Sequence, residues 1–149
     1  MAEYLSAVKK ITTETLRKMK LNREKITMLT AYDYTTAKMV DEGGVDVILV
    51  GDSAANVMAG FETTLPITLD QMIYHTQSVT RAVRRALVVA DLPFGTYQSN
   101  ADKALDSAVR MMKEGGASAI KMEGGIEIAD SVKKIISAGI PIVGHLGLT

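Results

Sequence analysis

The chain has 149 residues, with 17 Lys plus Arg against 17 Asp plus Glu and a formal net charge of zero, which suits one domain with a real core and lacks the basic excess that nucleic acid asks for. Its 47% hydrophobic and 23% charged residues exclude a disordered chain. The absence of Cys excludes disulfides, thiolate catalysis and Cys-ligated zinc or iron–sulfur centres, and fits a cytoplasmic protein.

Met1–Lys10 carries Glu3, Lys9 and Lys10 and no apolar core, so no secretory leader is expected there. No later run approaches the ~20 apolar residues of a membrane span, and no membrane partner is expected. A helix is predicted near Thr13–Lys20, placed to cap the bottom of a sheet. The first apolar run, Ile26–Ala31, ends at Tyr32 and Asp33 and is followed by a short helix from about Thr35 to Gly43. The second, Asp46–Val50, ends at Gly51, Asp52 and Ser53. Thr68-x-x-Gln71 then has the form of a capping box, and Met72, Ile73, Thr76, Val79 and Val83 recur after it at helical spacing. His75 lies within that helix beside Tyr74 and is read as packing or facing solvent.

The third run, Ala86–Ala90, ends at Asp91. Asn100 caps the next helix, with Ala101, Ala104, Leu105, Ala108 and Met112 on one face and Gly115 and Gly116 closing it. The fourth run, Ser118–Met122, ends at Glu123. A stripe of Ile128, Val132, Ile135 and Ile136 follows, stopped by Gly139 and Pro141. The fifth run, Ile140–Gly144, ends at His145. Short Val- and Ile-rich runs without polar alternation read as strands buried on both faces of a parallel sheet. The nine Met residues are read as core filling.

Strand–helix alternation leaves two architectures, an open doubly wound sheet and a (β/α)8 barrel. No Gly-x-Gly-x-x-Gly follows the first strand, which weakens the dinucleotide-binding version. A polar residue at every strand's C-terminal end favours the barrel. A whole barrel needs about 250 residues. Residues 1–149 are therefore expected to be the N-terminal portion of a single barrel domain, with five of its strands, and the chain the first half of a longer protein.

Asp52 and Asp91 end neighbouring strands about 4.8 Å apart, so their carboxylates can converge. Two bare charges about 3 Å apart repel by roughly 5 kcal/mol at an effective dielectric near 20. Either one takes a proton or a cation enters, and with no Cys a hard ion such as Mg²⁺ is the natural candidate. The other reading is that each Asp caps the following helix. Lys121 and Glu123 share one side of a strand end and could form an anion-binding and acid/base pair, or only a surface ion pair. Gly124 and Gly125 make either a phosphate cradle or a turn. His145, between Gly144 and Gly147, serves either a site or a structural hydrogen bond, and Tyr32 and Tyr97, near strand ends, are expected to reach a pocket.

The same residues carry a signature. Thr30-Ala-Tyr-Asp33, Val50-Gly-Asp-Ser53, Thr64-Leu-Pro-Ile-Thr-Leu69, Tyr74-His-Thr76, Asp91-Leu-Pro-Phe94, Lys113-Glu-Gly-Gly-Ala117, Lys121-Met-Glu-Gly-Gly125 and Gly144-His-Leu-Gly-Leu-Thr149 stand in order. Together they resemble the ketopantoate hydroxymethyltransferase (3-methyl-2-oxobutanoate hydroxymethyltransferase) family from about residue 5 to the last. Ala54-Ala-Asn-Val-Met58 departs from it where many members read Leu-Gly-Met. The resemblance implies a (β/α)8 TIM barrel that moves a one-carbon unit from 5,10-methylenetetrahydrofolate to 3-methyl-2-oxobutanoate, giving ketopantoate for pantothenate. It implies Mg²⁺ on Asp52 and Asp91, with Glu123 supporting the ion's waters. It implies that Ser53 and Lys121 bind the 2-oxo acid, with Tyr32 and His145 close by. It implies an enolate favoured by the ion and by Lys121, a glutamate base beyond Thr149, a cytoplasmic location and a homo-oligomer. Two further readings are a Mg²⁺-dependent 2-oxo-acid carbon–carbon lyase of the phosphoenolpyruvate mutase and isocitrate lyase group, and a non-catalytic fragment.

Overall fold

In the computed structural model, which describes residues 9–147, four helices start where a side chain accepts from the open N–H groups of a first turn. Thr12 and Thr15 cap one another ahead of α1 (Thr13–Leu21). Asp33 accepts from the Thr36 N–H ahead of α2 (Tyr34–Glu42). A short α3 (Ala54–Val57) has no counterpart in the sequence reading. Thr68 and Gln71 form the expected box ahead of α4 (Leu69–Ala82), and Asn100 caps α5 (Ala101–Arg110). The chain continues from α5 into one wider turn, Met111–Gly115, closed by Gly116 at φ 77°, a backbone that glycine adopts without strain. A tight turn at Ile126–Ile128 leads into α6 (Ala129–Ser137). The readings over residues 1–8 and 148–149 lie outside the described residues.

Each predicted strand is present within two residues of its expected bounds: β1 Met28–Thr30, β2 Val47–Val50, β3 Leu87–Asp91, β4 Ala119–Glu123 and β5 Ile142–His145. All pairs are parallel, in the order β1-β2-β3-β4-β5. Sequence neighbours are sheet neighbours throughout, which is the progression of a (β/α) barrel; a doubly wound sheet reverses its order partway.

Side chains alternate between the two faces of each strand. Ile48, Val50, Val88, Ala90, Ile120 and Met122 face outward and meet Met72, Val79, Ala104, Ala108, Met111 and Ile135 from the helices in the main core. Val47, Leu87, Val89 and Ala119 face inward and form a second cluster, onto which Ile11 and Leu16 pack. The segment at α1 therefore covers the inner face from below, as expected. Two buried carboxylates hold the loops at the N-terminal ends of the strands. Asp41 accepts from the N–H groups of Arg84, Arg85 and Ala86, and Asp46 accepts from the Thr27 N–H and hydroxyl and from Arg85.

Three expectations need correction. β1 is not buried on both faces: Met28 is 43% and Leu29 54% exposed, because β1 is an edge strand paired only to β2 among the described residues. Ile136 is exposed and stands off the core-facing stripe of α6. Of the methionines, Met72, Met111 and Met122 fill the core, while Met28, Met39 and Met58 are exposed.

Candidate functional site

The two-residue period that aims Val89 and Ala119 inward also aims Asp91, Lys121, Glu123 and His145 inward, at the C-terminal ends of β3, β4 and β5. Register finishes the placement, with Asp91 level with Lys121 and Glu123 level with His145. Lys121 Nζ donates to Asp91 Oδ2 and to Glu123 Oε1, each at 3.0 Å. His145 Nδ1 donates to the same Glu123 oxygen at 2.6 Å.

Asp52 reaches this group from the turn after β2, where its backbone N–H donates to Asp91 Oδ2 at 3.1 Å. Gly51 permits the approach: a Cβ there would lie 2.9 Å from Ser53 Oγ and 3.6 Å from Asp91 Oδ2. The hydroxyls of Ser53 and Tyr32 share a hydrogen bond of 2.7 Å. The helix-cap reading of Asp52 and Asp91 fails. Ser53 is the cap residue of α3 and makes no side-chain cap bond, and Asp91 accepts from Asp52 and Lys121 instead. Gly125 makes a turn, its N–H held by Glu127 Oε1 at 2.7 Å.

Electrostatics mark the carboxylate pair as incomplete. Burial pushes both aspartates above their ordinary 3.8, with the Glu123 charge adding to the effect at Asp52 and Lys121 only partly offsetting it at Asp91. Burial pulls Lys121 down, but Asp91 and Glu123 outweigh it and hold the ammonium charged. Burial pushes Glu123 up, and hydrogen bonds from His145 and Lys121 outweigh that and bring it below its ordinary value. Asp91 Oδ1 is buried and has no hydrogen-bond partner among the described residues. A buried acceptor without a partner is costly unless something positive meets it.

These residues fit a hard divalent cation. Lys121 pairs with two carboxylates, Asp91 and Glu123, the Asp52 charge lies near enough to act on the group, the donors are oxygens, and the spare oxygen lies on the better buried aspartate. No group of three or more acidic or His side chains is spaced to hold a metal by itself among the described residues. Mg²⁺ does not ask for one, since it takes one or two carboxylates and fills its remaining positions with water and substrate. Beside the group lies a cavity of about 370 Å³ whose lining includes Asp52, Thr64, Leu65, Phe94, Tyr97 and Glu123.

Sequence reasoning missed two contributors. His75 is not merely packed: its Nδ1 donates to the Tyr32 carbonyl at 2.9 Å and so supports the turn that carries the Tyr32 hydroxyl. Thr64 lines the cavity beside Asp52. Both stood inside quoted motifs, and sequence alone offers no further signal for either.

Parallel βα units in sequential order, with charged side chains gathered inside one end, define a protein of the (β/α)-barrel class with a candidate site at the C-terminal mouth. Solved structures agree on that fold. A phosphonopyruvate hydrolase solved with oxalate and Mg²⁺ superposes with a TM-score of 0.71 at 16% identity, over 89% of this chain and 52% of its own. A phosphoenolpyruvate phosphomutase from Streptomyces platensis gives 0.71 at 17%, over 89% and 53%. The family model for ketopantoate hydroxymethyltransferase matches residues 10–149, and the chain belongs to that family. It is 72% identical over 141 residues to the 3-methyl-2-oxobutanoate hydroxymethyltransferase of Flavobacterium johnsoniae, covering 95% of this chain and 52% of the relative. It is 69% identical over 148 residues to that of Cytophaga hutchinsonii, covering 99% and 54%. The chain thus spans about half the length of the curated relatives it matches.

Proposed function

We propose that this chain supplies the cation- and 2-oxo-acid-binding half of a hydroxymethyltransferase. The enzyme moves a one-carbon unit from 5,10-methylenetetrahydrofolate to the β-carbon of 3-methyl-2-oxobutanoate, giving ketopantoate. The observation that carries the reading is the Asp52–Asp91–Lys121–Glu123 group, with its partnerless Asp91 oxygen, in a chain of this family.

A 2-oxo acid is an anion, and three carboxylates with one ammonium repel it until a cation enters. Asp52 and Asp91 would hold Mg²⁺, with Glu123 on the water side. When bound, the ion supplies Lewis acidity at the keto group. Lys121, fixed between two carboxylates, directs its charge to where the substrate gains negative charge as its β C–H proton leaves, and its position is set before reaction, so little reorganisation is needed. The Ser53 hydroxyl, oriented by Tyr32, is placed to donate to the substrate carboxylate. The buried inner face excludes water beneath the site. The base that takes the C–H proton is assigned to the part of the relatives that this chain does not span. A homo-oligomeric, cytoplasmic enzyme without nucleic-acid or membrane partners is the working form, and no helix among the described residues is long and apolar enough to cross a membrane.

The test is turnover by a protein of the relatives' full length that carries these residues. Ketopantoate release should require Mg²⁺ and fall at least about 100-fold in Asp91→Asn, the upper end of what a lost metal-site partner costs. Normal metal-dependent turnover in that variant would remove the metal role. The carbon–carbon lyase reading has shared fold as its support and no further observation here.

A further inference from the structure

β3 and β4 do not end level. β3 stops at Asp91, opposite Lys121, and the last bond of that ladder runs from the Leu92 N–H to the Lys121 carbonyl at 3.1 Å. Pro93 follows, with no N–H to donate. β4 runs on to Glu123. Within a strand, the N–H and C=O of one residue point to the same side, and alternate residues share that side. Glu123 therefore presents both groups to the space that β3 has left.

Tyr97 fills that space. Its hydroxyl donates to the Glu123 carbonyl at 3.0 Å and accepts from the Glu123 N–H at 3.2 Å. One phenol oxygen thus stands in for a strand residue. The ring is 3% exposed, and burial raises the phenol above its ordinary 10.0, so it remains a donor. The segment is anchored from both outer helices. Ser107 in α5 donates to the Thr96 carbonyl at 2.9 Å, and Ser131 in α6 donates to the Tyr97 carbonyl at 3.0 Å.

We propose that Tyr97 is a positioning residue: by clamping the backbone of Glu123 it sets where the Glu123 carboxylate meets Lys121 and His145. The inference rests on the reading of those three as site residues, but its geometry is testable without turnover. Tyr97 touches no reacting atom in this role.

The chain has two His residues, which supply a reporter and a control. His145 Nδ1 donates to Glu123, downstream of the clamp, and His75 Nδ1 donates to the Tyr32 carbonyl, away from it. In the ¹⁵N-labelled 149-residue chain, Tyr97→Phe keeps the ring and removes the oxygen. The His145 Nδ1 resonance should move toward that of a free imidazole while His75 stays in place. Affinity for 3-methyl-2-oxobutanoate with Mg²⁺ should fall about 10-fold, as for lost supports of other metal sites. A folded Tyr97→Phe chain with both resonances unmoved overturns the proposal. If that variant does not fold, Ser131→Ala loosens the same segment and should move the same resonance, and an unmoved His145 there overturns it equally. A moved His145 in a chain that binds no Mg²⁺ supports the clamp and counts against the transferase reading instead.

Discussion

Asp91 gives one oxygen to Lys121 and to the Asp52 N–H, and its other, buried oxygen has no partner among the described residues. Such a carboxylate is unstable as an isolated anion and suited to holding a cation. Gly51 is the residue that allows it. Gly51→Ala would force Ser53 Oγ away from a Cβ only 2.9 Å distant, so affinity for 3-methyl-2-oxobutanoate in the presence of Mg²⁺ should fall about 10-fold by calorimetry. Unchanged affinity would show that Ser53 does not touch the ligand. At the same scale, Asp33 lies below its ordinary 3.8, held there first by the Thr36 N–H and then by the Thr36 hydroxyl. Its contribution is present above that ordinary value and is lost as pH falls through the lower folded value. Asp33→Ala should cost about 1 kcal/mol in urea unfolding at neutral pH, with the difference from the parent chain shrinking in strong acid. Of the single residues, Asp52, Asp91, Glu123 and His145 were legible because each follows or ends an apolar run, and Lys121 because it interrupts one two residues before Glu123. Tyr97 was expected at a pocket, which it lines, but its bond to the Glu123 backbone and that of His75 to the Tyr32 carbonyl were not legible, since only the fold brings those groups near.

The helices and strands were legible where local chemistry and packing agree. Thr68 with Gln71, Asn100 and Asp33 cap where their side chains can reach the first turn. β2, β3 and β4 lie between other strands and are apolar on both faces up to the charged residues at their C-terminal ends, so their runs stand out. β1 misled because an apolar edge strand reads the same as a central one. α3 was missed because four residues after a Gly-Asp-Ser turn carry no stripe. Ile120 is fully buried at the centre of the main core, on the strand that bears Lys121 and Glu123. Ile120→Ala should therefore cost about 2–5 kcal/mol, measured by chemical denaturation. A cost below about 1 kcal/mol, the order of a surface change, would mean the helices do not pack on β4 as described.

Over the whole molecule, sequential parallel order was legible in the strand–helix alternation, while the curvature that turns one face inward is a property of the assembled sheet. Among the described residues, the open sides of β1 and β5 have no strand partner, and Met28 and Leu29 are exposed on β1. Such edges invite pairing with other chains. The 149-residue chain should therefore sediment as concentration-dependent associates, and a monomer at all concentrations would show these edges to be protected. The central claim is that Asp52 and Asp91 hold a divalent cation against which a 2-oxo acid binds. Its most direct measurement is calorimetric titration of 3-methyl-2-oxobutanoate into the 149-residue chain, with and without Mg²⁺, beside Asp91→Asn. Heat that needs both Mg²⁺ and the intact aspartate is the predicted result, and equal heat in Asp91→Asn, or heat indifferent to Mg²⁺, would contradict it.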